Sequence, residues 1–413
     1  MNYEQEFFNL KIGKFQNNLL KVHSRILKDY KSSNLECLSI VNEKKELDSV
    51  YKYLDIFSKF ENLVFLGTGG SSLGGKTLVS LKRNQFINFK KPSFFFIENV
   101  DIEPIKELLD NINLQNTGFI VTSKSGETIE TLCQYFTIKN FLKKKKLKLK
   151  KNFLVITEKK KSTLKNIQES SEYFYLEHKN SIGGRYSIFS IVGLLPAALS
   201  GLNIEELRRG GMAVIQNMLS IKNCENFLPA IGALSHVNLI SDGINQCVFM
   251  PYTDKFFNLS LWFRQLWGES IGKEKKGSTP INAIGTIDQH SQLQLYLDGP
   301  RDKFITFIST EDINSSLKLD CKISDEIVYK PLHKKTMSQL LNAEENATFE
   351  TLKKNNIPLR MFKMKSANEY SVGSLLMHFF LETIYSCYLI NVNPFDQPAV
   401  EYGKKMTIEI LNK

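Results

Sequence analysis

The chain has 413 residues, of which 42% are hydrophobic and 23% charged, with a formal net charge of +11. That length and apolar content suffice for large buried cores and for two domains or one large one, which excludes a chain disordered throughout. The positive charge admits a polyanion as partner, but basic residues are spread along the chain and the densest run, Lys143–Lys151, reads as a solvated connector. An anionic small molecule is therefore the expected partner, with no nucleic acid.

Residues 1 to 15 carry charges of both signs and no apolar h-region, so neither a secretory signal nor a transit peptide is expected, and the protein is placed in the cytoplasm. Residues 1–50 read as an N-terminal helical lead. Short apolar runs then alternate with helical patterns: LVFL (63–66), FFFI (94–97), GFIVT (118–122) and FLVIT (153–157). After a helical stretch from Ile204 to Met218 the rhythm resumes with QCVFM (246–250), NAIGT (282–286), KFITFI (303–308) and IPLRMF (357–362). The pattern predicts an α/β protein of two doubly wound α/β/α sandwich domains with mostly parallel sheets. These are 51–215 and 216–413, the second closing in a C-terminal helix.

The longest apolar stretch, Val372–Ile390, is interrupted by His378 and Glu382, which suits a buried helix better than a bilayer span. Six cysteines are scattered without a CxxC pair, as expected in a reducing compartment. The six histidines are equally dispersed, and no metal or cofactor is expected.

In doubly wound sheets, ligands gather where post-strand loops feed helix N-termini. The first such loop, Gly67 to Thr77, is glycine-rich and suited to an anion. From Gly70 it also matches the Walker A spacing, which keeps a P-loop nucleotide hydrolase or kinase as an alternative. The second loop, Ser123-Lys124-Ser125-Gly126-Glu127-Thr128, offers three hydroxyls and a lysine at a helix start. Helix capping needs only one hydroxyl, so the set points to a phosphate. Here the chain resembles the sugar isomerase domain.

Gly183-Gly184-Arg185-Tyr186-Ser187, preceded by NSIG, resembles the first signature of the glucose-6-phosphate isomerase family. Further matches follow in the family's order: Gln265 to Lys273, with Glu269 followed by Ser-Ile-Gly-Lys; Asp288-Gln289-His290-Ser291; and Asn393 to Lys404. The resemblance implies interconversion of glucose 6-phosphate and fructose 6-phosphate through ring opening and a cis-enediolate. Glu269 is then the base, Arg185 offsets the enediolate charge, and His290 with Lys404 opens the ring. By the same match Gly70, Ser71, Ser123, Lys124, Ser125, Thr128, Gln265 and Gln397 contact substrate. Family members are homodimers that share active sites, with the histidine supplied across the interface. Two departures stand out: Ala399 where the family usually has Gly, and Ile191 in place of a small residue. A non-catalytic sugar-phosphate-binding regulator on the same fold is a further alternative, against which Glu269, His290 and Lys404 all argue.

Overall fold

The computed structural model describes residues 2–11, 13–83, 91–312 and 315–413. The chain opens with a strand, β1 (Tyr3–Phe8), followed by helices Gln16–Lys31 and Lys44–Phe57. Five strands then build the first sheet: β2 (Asn62–Leu66), β3 (Ser93–Ile97), β4 (Thr117–Thr122), β5 (Phe153–Thr157) and β6 (Phe174–Glu177). All pair in parallel in the order β3-β2-β4-β5-β6. The second sheet uses β7 (Gln246–Pro251), β8 (Thr279–Asn282) and β9 (Lys303–Thr310). After the small hairpin β10 (Lys322–Ile323) and β11 (Glu326–Ile327), β12 (Leu359–Met364) joins it. Its order is β1-β12-β9-β7-β8, parallel except at β1. Two doubly wound, mostly parallel sheets are thus present as the strand–helix rhythm predicted.

Two details differ from the sequence reading. The lead is helical from Gln16, but its first residues form β1, antiparallel to β12. Without it β12 would be an open edge with unpaired backbone groups. A second anchor holds it: the Tyr3 hydroxyl bonds Nδ1 of His378 at 2.7 Å. In the second sheet, the expected strand NAIGT lies instead at Thr279–Asn282, TPIN. This is an edge strand, where a proline is tolerated. Beyond Asn282 the backbone leaves the sheet, held by Asp288 Oδ2, which accepts from the amide of Ile284 at 2.7 Å.

Alternation along the strands sends side chains into separate cores. Leu63 and Phe65 of β2, like Cys247 and Phe249 of β7, face one continuous core between the sheets. Val64 and Leu66 face an outer core beneath the helices Ile102–Asn111 and Ile129–Lys144. Val248 and Met250 do the same against the helix Met337–Lys354. The axis of the shared core is the helix Glu369–Leu389, buried from Ser371 to Leu389. It is long and apolar enough to cross a membrane, yet it is enclosed by protein throughout. Its one carboxylate in that span, Glu382, accepts from Arg360 at 2.7 Å and meets His236 and His378 at 3.2 and 2.8 Å. Burial pushes this carboxyl up, but Arg360 and the two histidines outweigh it and hold it well below the ordinary range.

Candidate active site

Arg185 organises the site. It sits in a one-turn 3-10 helix, Gly184–Tyr186, and is 3% exposed. Its Nε donates to Ser270 Oγ at 2.8 Å, and one terminal nitrogen, Nη1, donates to Glu269 Oε2 at 3.2 Å and to Gln397 Oε1 at 2.8 Å. The other, Nη2, donates to the carbonyls of Pro394 and Asp396 at 2.7 and 3.1 Å. A guanidinium this buried requires several acceptors, and its fork here joins three distant segments.

Glu269 lies in the last turn of the helix Phe257–Ile271. Its neighbours Trp262, Phe263, Leu266 and Trp267 are buried in the shared core, which leaves Gln265 and Glu269 together on the half-buried face of the helix. The i, i+4 pair is closed by a bond from Gln265 Nε2 to Glu269 Oε1 at 2.9 Å. Both carboxylate oxygens thus have donors, Gln265 on one and Arg185 on the other. This fixes the carboxylate orientation that a proton-moving base needs.

The glycine loop closes one wall. Gly69 has φ +57°, and a Cβ there would lie 2.8 Å from Gln265 Nε2. A Cβ on Gly70 would lie 2.2 Å from the carbonyl carbon of Gly184, so the loop and the arginine turn touch backbone to backbone. Ser187 Oγ bonds the Gly70 carbonyl at 3.1 Å, and Ser71 is half-buried beside it. The Walker A residues are engaged elsewhere: Lys76 pairs with Glu98 at 2.5 Å, and Thr77 donates to the Asn258 carbonyl at 2.9 Å. Gly74, Gly75 and Lys76 lie inside the helix Leu73–Ser80 rather than in a loop around a phosphate.

β2 and β4 are parallel neighbours, so the loop at Ser123–Thr128 stands beside the glycine loop at the carboxyl ends of the strands. Thr128 is the N-cap residue of the helix Ile129–Lys144, yet its hydroxyl bonds Ser123 Oγ at 2.8 Å and caps no amide. Ser125 Oγ accepts from the Glu127 amide at 3.1 Å. Capping therefore does not account for Thr128, and the first-turn amides remain without a side-chain cap. Lys124 is half-buried, 4.0 Å from Glu158; burial lowers its pKa and Glu158 draws it back up.

Neither His290 nor Lys404 makes a hydrogen bond or ion pair with Glu269 among the described residues. The loop carrying His290 is pinned on all sides: Gln289 Oε1 accepts from Tyr252 at 2.8 Å, and Asp288 Oδ1 accepts from Ser291 and Gln292 at 2.6 and 2.8 Å. The imidazole itself is exposed and makes no hydrogen bond among the described residues. Lys404 lies in the helix Glu401–Leu411, none of whose residues is buried, and pairs with Glu401 at 2.7 Å. Ala399 sits in a 3-10 turn, Pro398–Val400, a conformation that needs no glycine.

Sequence reading passed over Ser270, Tyr186 and Asp396. The Tyr186 hydroxyl lies 3.2 Å from Ser270 Oγ and 3.3 Å from the Pro394 carbonyl, so these residues hold Arg185 in place. Adjacency to Arg185, Glu269 and Gln397 was the only sequence signal, and it does not reveal which neighbour points inward.

Two doubly wound sheets, with an anion-type loop at the strand ends and a buried Arg185 that gathers Glu269 and Gln397, define a protein of the sugar isomerase fold. Over residues 45–413 the chain matches the phosphoglucose isomerase family, and it belongs to that family. It is 33% identical over 407 residues to a probable glucose-6-phosphate isomerase of Methanococcus maripaludis, covering 98% of this chain and 90% of the relative. Among solved structures, a hypothetical protein from Thermus thermophilus superposes with TM-score 0.89 at 28% identity, over 99% of this chain and all of that one. A glucose-6-phosphate isomerase from Chlamydia trachomatis superposes with TM-score 0.75 at 26% identity, covering 89% and 73%.

Proposed function

We propose that the chain is a glucose-6-phosphate isomerase in which Glu269 carries the proton between C1 and C2 of the open-chain sugar. The observation that carries this is the convergence on Arg185 of Glu269 and Gln397, residues far apart in sequence. Removing a proton beside the carbonyl leaves a planar cis-enediolate, whose negative charge the Arg185 guanidinium offsets in a water-poor setting. One carboxylate on one face can take the proton from one carbon and return it to the next. The phosphate is held at Ser123, Lys124, Ser125 and Thr128, with Gly70 and Ser71 on the adjoining loop. Gln265 and Gln397 orient the sugar chain.

Ring opening requires an acid and a base near O1 and O5, the role of His290 and Lys404. We place them at the site through a homodimer. Supporting this, His290 is exposed on a rigid loop and the helix of Lys404 buries none of Tyr402, Met406, Ile408 or Ile410 in its own chain. The six unpaired thiols suit a reducing, cytoplasmic setting.

The direct test is a coupled assay for glucose 6-phosphate formed from fructose 6-phosphate in the presence of a chelator. Turnover is expected without added divalent metal, and Glu269→Gln is expected to abolish it. Binding of the sugar phosphate without turnover would instead assign a regulator.

A further inference from the structure

Lys273 follows Glu269 by one helical turn, in the loop after the base-bearing helix. Its side chain is 12% exposed. The ammonium donates to the carbonyls of Glu269 and Ser270 at 2.9 and 2.7 Å and pairs with Asp396 Oδ1 at 3.5 Å. Those two carbonyls belong to the helix C-terminus and lack intrahelical partners, so a cation there is favourable.

The choice of partners goes beyond a helix cap. Glu269 and Ser270 are the two residues of this helix whose side chains accept from Arg185. Asp396 supplies one of the carbonyls that accept from Arg185 Nη2. Lys273 therefore closes a ring of contacts: Arg185 to Glu269 and Ser270, their backbone to Lys273, Lys273 to Asp396, and Asp396 back to Arg185. Two cations share this buried corner, an arrangement costly without such acceptors. Burial lowers the Lys273 pKa, and the Arg185 charge adds to that effect. The same loop is fixed at its other end, where Lys276 donates to the Ile390 carbonyl at the end of the central helix at 3.1 Å.

We propose that Lys273 is a positioning residue for the isomerisation, tying the end of the helix that carries Glu269 to the C-terminal loop that holds Arg185 and Gln397. It touches no reacting atom; it sets the relative placement of base and guanidinium. The inference rests on Glu269 acting as the base. Because the phosphate loop lies on other elements, loss of the tie acts on the chemical step more than on binding.

The test is steady-state kinetics on the full-length enzyme with fructose 6-phosphate, alongside thermal unfolding. Lys273→Met is expected to lower kcat about 10- to 100-fold, the scale set by small misplacements of reacting groups, with KM within about threefold of wild type. Lys273→Arg keeps the charge and donors and is expected to recover most of kcat. Asp396→Asn, which removes charge without changing shape, is expected to lower kcat in the same direction. The double variant should be no slower than Lys273→Met. Unchanged kcat in Lys273→Met, or a loss confined to KM, overturns the proposal. So does a folded Lys273→Arg enzyme as slow as Lys273→Met. If Lys273→Met does not fold, Asp396→Asn and Lys273→Arg decide the matter by the same kcat criterion. Wild-type turnover that Glu269→Gln removes establishes the base separately; absence of wild-type turnover overturns the isomerase reading itself.

Discussion

Arg185 is the residue on which the proposed chemistry turns, because a planar fork with five donors can reach a carboxylate, an amide and two carbonyls at once. Lysine keeps the charge but not the fork. Arg185→Lys is therefore expected to lower kcat by roughly 10²- to 10³-fold, the scale of losing a preorganised donor to a developing oxyanion, with a smaller effect on KM; the coupled assay reads both. Gly70 is constrained as tightly by space. Gly70→Ala places a methyl group 2.2 Å from the Gly184 backbone, which has no flexible end to move aside. Urea unfolding should show a loss of about 1–3 kcal/mol, the usual cost of overpacking, together with reduced turnover as the arginine turn is displaced. At the phosphate loop, Ser123→Ala breaks the bond to Thr128 and is expected to raise KM for the sugar phosphate while leaving kcat less affected.

At the scale of elements, the helix Phe257–Ile271 and the segment Asn393–Gln397 divide the work. The helix is anchored by buried aromatic side chains and presents the base at its end, whereas the segment contributes carbonyls and an amide to Arg185. The helix that follows, Glu401–Leu411, buries nothing in its own chain. Removing residues 401–413 is thus expected to abolish turnover while leaving the fold of the rest intact. In thermal unfolding the wild type should show a midpoint that rises with protein concentration, as the proposed homodimer requires, and the truncated chain should lose that dependence. Much at this scale was legible beforehand. Apolar runs at 63–66, 94–97, 118–122 and 153–157 all fall in strands of the first sheet, because strands covered on both faces need uninterrupted apolar sequence. Three of the four edge strands escape that rule: β1 reads YEQEFF, β6 reads FYLE and β8 reads TPIN, each partly exposed and none placed correctly from sequence, whereas the fourth, β3, carries the apolar run FFFI and was placed.

For the whole molecule, stability should follow two buried groups that titrate in opposite senses. Burial pulls His178 down to about 4, so the unfolded chain takes up its proton first and stability falls as pH drops from 6.5 towards 4. Burial pushes Glu345 up to about 7, so the folded state keeps a proton longer and stability falls as pH rises from 4.5 to about 7. Glu345→Gln, measured by urea unfolding, is expected to exceed wild type by up to roughly 3 kcal/mol above pH 7, the gap closing towards pH 4.5. The sequence by itself determined the layered α/β architecture, the order of the loops and the residue types of the site, since periodicity and turn chemistry are local properties. It also carried the family resemblance that family membership now bears out. Only the tertiary structure decided that Glu269, Gln397, Ser270 and the Pro394 carbonyl meet on one guanidinium. It decided too that the Walker-like lysine faces Glu98, and that Lys404 pairs with Glu401 on an exposed helix. The reason is physical: such meetings join segments up to 212 residues apart, and they are set by how two sheets pack around a common helix.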